Sequence, residues 1–170
     1  MKQIDKRIEL AQYIPVNGIA AELGVGAGDF SIEILKANKL FKVLYSIDRW
    51  AGDRKHDEAE YKSAFKLIQE VSPGRSIVLR ASFIEAAEYF DDESFDFIYI
   101  DGYAHTGQEN GDTLRQWWPL LKKGGIFAGH DYHPQFTKNI EAVNQVIKTE
   151  LKRDFQLTLA DRFPSWYLVK

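Results

Sequence analysis

The chain has 170 residues, a net charge of −3, 45% hydrophobic residues and no cysteine. That length suits one domain with a real core, and the charge excludes the basic excess that draws a protein to nucleic acid. The missing thiols exclude disulfides, thiolate zinc sites and a cysteine nucleophile. Met1 to Leu10 is charged throughout, without the apolar stretch of a signal peptide. No apolar run approaches a membrane span, so a cytoplasmic protein with no nucleic-acid or membrane partner is expected.

Ile4, Ile8 and Ala11 share one helical face while Lys6, Arg7 and Glu9 turn elsewhere, which predicts an opening amphipathic helix. Pro15 and Asn17-Gly18 end it. Apolar runs of strand length follow at Ile19–Leu23, Lys42–Ile47, Ile77–Leu79, Phe95–Ile100 and Ile126–Ala128. Helix-length stretches separate them at Phe30–Ala37, about His56–Val71, Phe83–Tyr89 and about Thr113–Leu121. Strands alternating with helices predict an α/β fold with a doubly wound, mostly parallel sheet. A helix bearing Ile140, Val143 and Ile147 then leads to Phe155–Leu159, a break at Asp161–Pro164, and Trp166–Val169. So short a break permits only a hairpin. The expected sheet has seven strands with a C-terminal antiparallel hairpin strand, and residues 1–170 form a single domain.

Glu22-Leu23-Gly24-Val25-Gly26-Ala27-Gly28 ends the first strand and opens a helix. Glycines allow a sharp turn and close approach of a ligand, and the helix start offers free amides to an anionic group. Asp48 ends the second strand, where an acid can take both hydroxyls of a ribose. A dinucleotide-binding oxidoreductase would satisfy the same pattern. However, G-x-G-x-x-G spacing from Gly24 puts Asp29 where the third glycine belongs, and Glu22 suits a ligand carrying a positive amino group.

Glu22 through Gly28, with Asp48 at the acidic position, resembles motif I of the class I S-adenosylmethionine-dependent methyltransferases, whose Rossmann-like fold the strand pattern also resembles. Three further blocks are similar to a bacterial group of O-methyltransferases that includes cephalosporin-biosynthetic and macrolide- or aminocoumarin-sugar enzymes. They are Asp48-Arg49-Trp50-Ala51-Gly52-Asp53, Asp101-Gly102-Tyr103-Ala104-His105, and Gly124-Gly125 running to His130-Asp131. The resemblance implies that the Gly24–Gly28 loop holds the methionine part of S-adenosylmethionine and that Asp48 binds its ribose. Trp50 and the Ala81-Ser82-Phe83 turn would flank the adenine. Glu22, Gly24, Gly26, Gly28, Asp48, Arg49, Trp50, Ser82 and Asp101 are thus the expected cofactor-binding residues.

Glu22, Asp48, Asp101, His130 and Asp131 all follow predicted strands, so one crevice should collect them. Methyl transfer needs alignment and removal of the acceptor's proton. Asp101, His105 and His130 are the catalytic candidates, and an imidazole suits a base near neutral pH. Asp101, His130 and Asp131 are also candidate ligands of a divalent cation, magnesium or manganese. The group's magnesium enzymes carry three acids there, and His130 departs from that set toward manganese or zinc. His133 and His56 read as exposed, and core packing is expected for at least one of Trp117 and Trp118.

Asp101-Gly102-Tyr103-Ala104 replaces the [DN]-P-P-[YF] motif of amino-directed nucleic-acid methyltransferases, which favours a small-molecule or sugar hydroxyl as acceptor. Few residues precede the first strand, so an open cleft or a second copy covering the site is expected. An NAD-type oxidoreductase and a non-catalytic module retaining the fold are the alternatives.

Overall fold

The computed structural model describes residues 2–51 and 56–170. Gly52 and Asp53 of the D-x-W-x-G-D block lie outside them. Among the described residues, seven strands form one sheet: β1 (Ile19–Leu23), β2 (Val43–Asp48), β3 (Ser76–Arg80), β4 (Phe95–Ile100), β5 (Leu121–Gly129), β6 (Gln156–Leu157) and β7 (Trp166–Val169). Their order is β3-β2-β1-β4-β5-β7-β6. All neighbours run parallel except that β7 lies antiparallel to both β5 and β6. The expected seven-stranded sheet with its C-terminal hairpin is the one observed.

The near-continuous apolar character of β1 and β4 follows from coverage of both faces. On one face a 3₁₀ helix (Arg7–Tyr13), α1 (Asp29–Ala37) and α2 (Glu58–Val71) bury Leu10, Phe30, Ile34, Ile68, Phe97 and Tyr99. On the other, α3 (Phe83–Ala87), α5 (Asp112–Leu120) and α6 (Thr137–Val143) cover Ile98, Leu114, Trp117, Phe127, Val143 and Trp166. Each such side chain contributes about 1.5–3 kcal/mol by leaving water. Trp117 is wholly buried, and its indole N–H donates to the Phe83 carbonyl at 2.9 Å, whereas Trp118 is partly buried. No described helix is long and apolar enough to cross a membrane.

Three elements differ from the sequence reading, each for a long-range reason. The opening helix is 3₁₀ rather than amphipathic α, and Ile4 lies ahead of it, its N–H donating to the Tyr167 hydroxyl at 3.1 Å. β5 begins at Leu121, well before Ile126, because Leu121 pairs with Phe95 of β4 across a register shift, while Gly124 N–H donates to the Lys170 carbonyl and Lys170 N–H to that of Gly125. β6 is only two residues long, because Leu159 and Ala160 donate instead to the carbonyls of Ile4 and Asp5. Between the 3₁₀ turn Ala104–Thr106 and α5, the single turn α4 (Gly107–Asn110) runs left-handed, with Gln108, Glu109 and Asn110 at φ near +55°.

Candidate active site

β1 and β4 are sheet neighbours, yet the chain leaves β1 toward β2 and returns to β4 only after β3. Such a reversal opens a crevice beyond the strands' carboxyl ends. There the loops after β1 and β4 touch backbone to backbone. Gly24 sits at φ +95°, and a Cβ on it would lie 2.4 Å from the Asp101 carbonyl oxygen, so no other residue fits. The resulting cleft, of about 220 Å³, is lined by Gly24, Val25, Gly26, Asp48, His56, Phe83, Asp101, Gly102 and Tyr103. Gly28 is the left-handed residue that caps α1.

Asp48 braces the glycine loop from the second strand. Its Oδ2 accepts from the N–H groups of Val25 (2.9 Å) and Gly26 (3.0 Å), and its Oδ1 from Trp50 N–H (3.2 Å). Trp50 is 1% exposed, its indole N–H donates to the Gly26 carbonyl at 3.0 Å, and its ring packs on Tyr61. Trp50, expected to flank the adenine, packs behind the glycine loop, and the rings that line the cleft are those of Phe83, Tyr103 and His56. Ser82 caps α3, its hydroxyl accepting from Glu85 N–H, and Arg49 lies 5.7 Å from the Tyr103 ring centre.

Glu22 is buried among side chains instead of facing the cleft. In register with Ser46 and Tyr99 on the neighbouring strands, it accepts the Ser31 hydroxyl, which also contacts Ser46 Oγ at 2.8 Å. Its second oxygen, Oε1, is buried without a partner among the described residues. Burial raises this carboxyl to about 8, with the Ser31 hydrogen bond only partly opposing it.

Beyond β4 and β5 the structure gathers Asp101, His130 and Asp131, as expected. His130 Nδ1 lies 3.2 Å from Asp101 Oδ1 and 3.1 Å from Asp131 Oδ1. Burial works against the charged ring, but hydrogen bonds to both carboxylates outweigh it and raise His130 to about 9. Burial would likewise raise Asp101, yet His130 and Arg7 together hold it below the ordinary carboxylate range. Arg7 escaped the sequence reading, which turned it away from the core. Its Nη1 donates to Asp101 Oδ2 at 2.8 Å, it lies beside Tyr99, and its guanidinium lies 4.2 Å over the Phe30 ring. No local signal marks it, because its partners are at least 23 positions away in the chain.

His105 sits on the 3₁₀ turn after β4 and lines a neighbouring groove with Phe136 and Lys138. His133 caps the next turn by accepting from Gln135 N–H, and its ring meets Phe163 edge-on at 4.9 Å. His56 departs from the exposed reading: bonded to Glu60 at 2.6 Å, it forms part of the cleft wall. Behind the cluster, Asn139 is wholly buried and donates to the carbonyls of His130 and Asp131, both at 3.0 Å, while accepting from Gln108.

Each of Asp101, His130 and Asp131 offers an atom within 4.8 Å of the others, the spacing of a cation site. The donor chemistry is another matter. His130 Nδ1 faces two acceptor-only oxygens and so carries a proton there, and Asp101 Oδ2 already holds Arg7. Two cations against two carboxylates leave no charge for a divalent ion to neutralise, so the residues as arranged do not fit one.

A family model described as a methyltransferase domain matches residues 21–132. No curated protein sequence is significantly similar to the chain. Among solved structures, the Streptococcus mutans protein SMU.1697c, in complex with SAH, superposes with a TM-score of 0.72 at 16% identity, covering 99% of each chain. The O-methyltransferase NovP gives 0.71 at 20% identity over 96% of this chain and 79% of its own. An rRNA methylase from Streptococcus thermophilus gives 0.67 at 16% identity over 95% and 91%. Likenesses this remote speak for the fold alone, which is shared by structures described as acting on quite different acceptors.

Proposed function

This chain belongs to the methyltransferase-domain family, and on that premise we propose that it methylates a hydroxyl group of a small molecule with S-adenosylmethionine as donor. The observation that carries the oxygen-directed reading is the Asp101–His130–Asp131 cluster, which adjoins the glycine cleft at the carboxyl ends of β4 and β5. The cleft's fit to the donor is supported by the glycine loop, where Gly24 admits no Cβ against the Asp101 backbone and Gly26 takes φ +51°, and by Phe83 as an apolar wall. Bound there, S-adenosylmethionine supplies an electrophilic methyl on a sulfonium.

The protein's part is alignment and proton handling. A hydroxyl becomes strongly acidic once its oxygen begins to bond to carbon, so a weak carboxylate base suffices late in the reaction. Asp101 and Asp131 are the acceptors at hand. His130, protonated below about pH 9, stabilises negative charge on them and is poorly suited to take the proton itself near neutrality. His105, in the adjoining groove with Phe136 and Lys138, would contact the acceptor. The net charge of −3 favours a small acceptor over a nucleic acid.

S-adenosylhomocysteine at a hundred times its Kd should stabilise the fold by about 2.7 kcal/mol, read as a rise of several degrees in melting temperature. Nicotinamide dinucleotides should give none. A shift with NAD and none with S-adenosylhomocysteine would overturn the reading. Release of S-adenosylhomocysteine across a panel of phenols, sugars and amines then tests oxygen against nitrogen.

A further inference from the structure

We propose that Arg7 is the resident cation of this site: its guanidinium neutralises Asp101 through Oδ2, the oxygen that His130 does not contact, so the carboxylates work without a metal. The inference rests on the methyl-transfer reading only in assigning those carboxylates to the acceptor side.

The geometry is that of a fitted group. A surface arginine that met a carboxylate by chance would contact nothing else, whereas Arg7 is fixed from four directions. Its Nη1 donates to Asp101 at 2.8 Å, it lies beside Tyr99, and its face rests 4.2 Å over the Phe30 ring. Its backbone N–H donates to Asp161 Oδ2 at 2.9 Å, which anchors the 3₁₀ helix that carries it. A planar guanidinium suits a carboxylate in a confined site and always bears its charge. A magnesium or manganese ion would have to strip the proton that His130 Nδ1 shares with both acids, and it would meet an Asp101 whose charge Arg7 already balances from the other oxygen. Two carboxylates so close would repel each other without cations; His130 lies between them, and Arg7 adds a second positive charge at Asp101.

The test is manganese binding to the intact chain, followed by electron paramagnetic resonance and calorimetry. Wild type should show no specific Mn²⁺ binding. Arg7→Met, which keeps the stem and removes the charge, should bind Mn²⁺ at least about tenfold tighter than wild type, and adding Asp101→Asn should abolish that gain. Arg7→Lys should still exclude the ion. Arg7→Gln, with a polar contact to Asp101, serves the same comparison should the methionine variant fail to fold. Specific binding by wild type that Asp101→Asn removes would overturn the proposal. So would folded charge-neutral variants that gain no affinity. S-adenosylhomocysteine binding is measured on the same samples; its absence would sink the methyl-transfer reading and leave the manganese comparison standing.

Discussion

At Glu22, a carboxyl group and two serine hydroxyls share a space closed to water, and one carboxyl oxygen has no partner among the described residues. A charge there would be expensive, so the group keeps its proton up to about pH 8 in the fold, against 4.5 for a free glutamate. Between those values the folded chain binds more protons than the unfolded one, so stability falls as pH rises. The expected result is a melting temperature that declines from pH 5 to 8, with Glu22 contributing a loss of at most about 1.4 kcal/mol of stability per pH unit and His130 adding its own above pH 6.5. Glu22→Gln should flatten the decline, and an unchanged slope in that variant would assign it to another group. The sequence makes the acid legible and its environment illegible. Reading Glu22 as facing a ligand's amino group assumes exposure, whereas register with Ser46 and Tyr99 turns it beneath α1. Trp50 misleads in the same way, since a tryptophan after a strand can line a cleft or brace the loop behind it.

Elements were legible where local pattern and long-range pairing agree. β1, β4 and β7 fall on the expected residues because each is a largely apolar run that a glycine or serine precedes. β6 is shorter than its apolar run because the N-terminal segment takes over its donors, which no local pattern encodes. The left-handed turn α4 is likewise invisible: Gln108, Glu109 and Asn110 each sit where an L-residue costs about 1–2 kcal/mol. Such strain persists only when surroundings over-determine it, and Gln108, tied to Asn139, is one such restraint. Because Asn139 also holds the carbonyls of His130 and Asp131, it couples the strained turn to the acidic cluster. Asn139→Ala should cost about 2–3 kcal/mol by leaving those groups unpaired, measured by urea denaturation. It should lower kcat more than it raises the KM for the methyl donor, whose cleft is on the other side of Asp101. Equal effects on both would mean a general loosening.

In the whole molecule, the crevice follows from topology and was legible from alternation alone, since any chain that winds from β1 to β3 and returns to β4 opens there. Completion of the site was not legible, because it depends on the two extremes of the described chain meeting. Ile4 reaches the Tyr167 hydroxyl, Gln3 the Leu157 carbonyl, and Arg7 the Asp161 carboxylate. If that meeting presents Arg7 to Asp101, Asp161→Ala should cost about 1 kcal/mol. In a double-mutant cycle it should couple to Arg7→Met by at least about 0.5 kcal/mol. Additive losses would separate helix anchoring from the site.

The pairing of Ile4 with Tyr167 also imposes an order in time. During synthesis the glycine loop, both flanking strands and Asp101 leave the ribosome long before the hairpin that seats the opening segment. The loops of the proposed donor cleft can thus gather before β7 arrives to seat the segment that carries Arg7. Binding of the methyl donor and maturation of the acceptor side become separable events, the second tied to the arrival of residues 161–167.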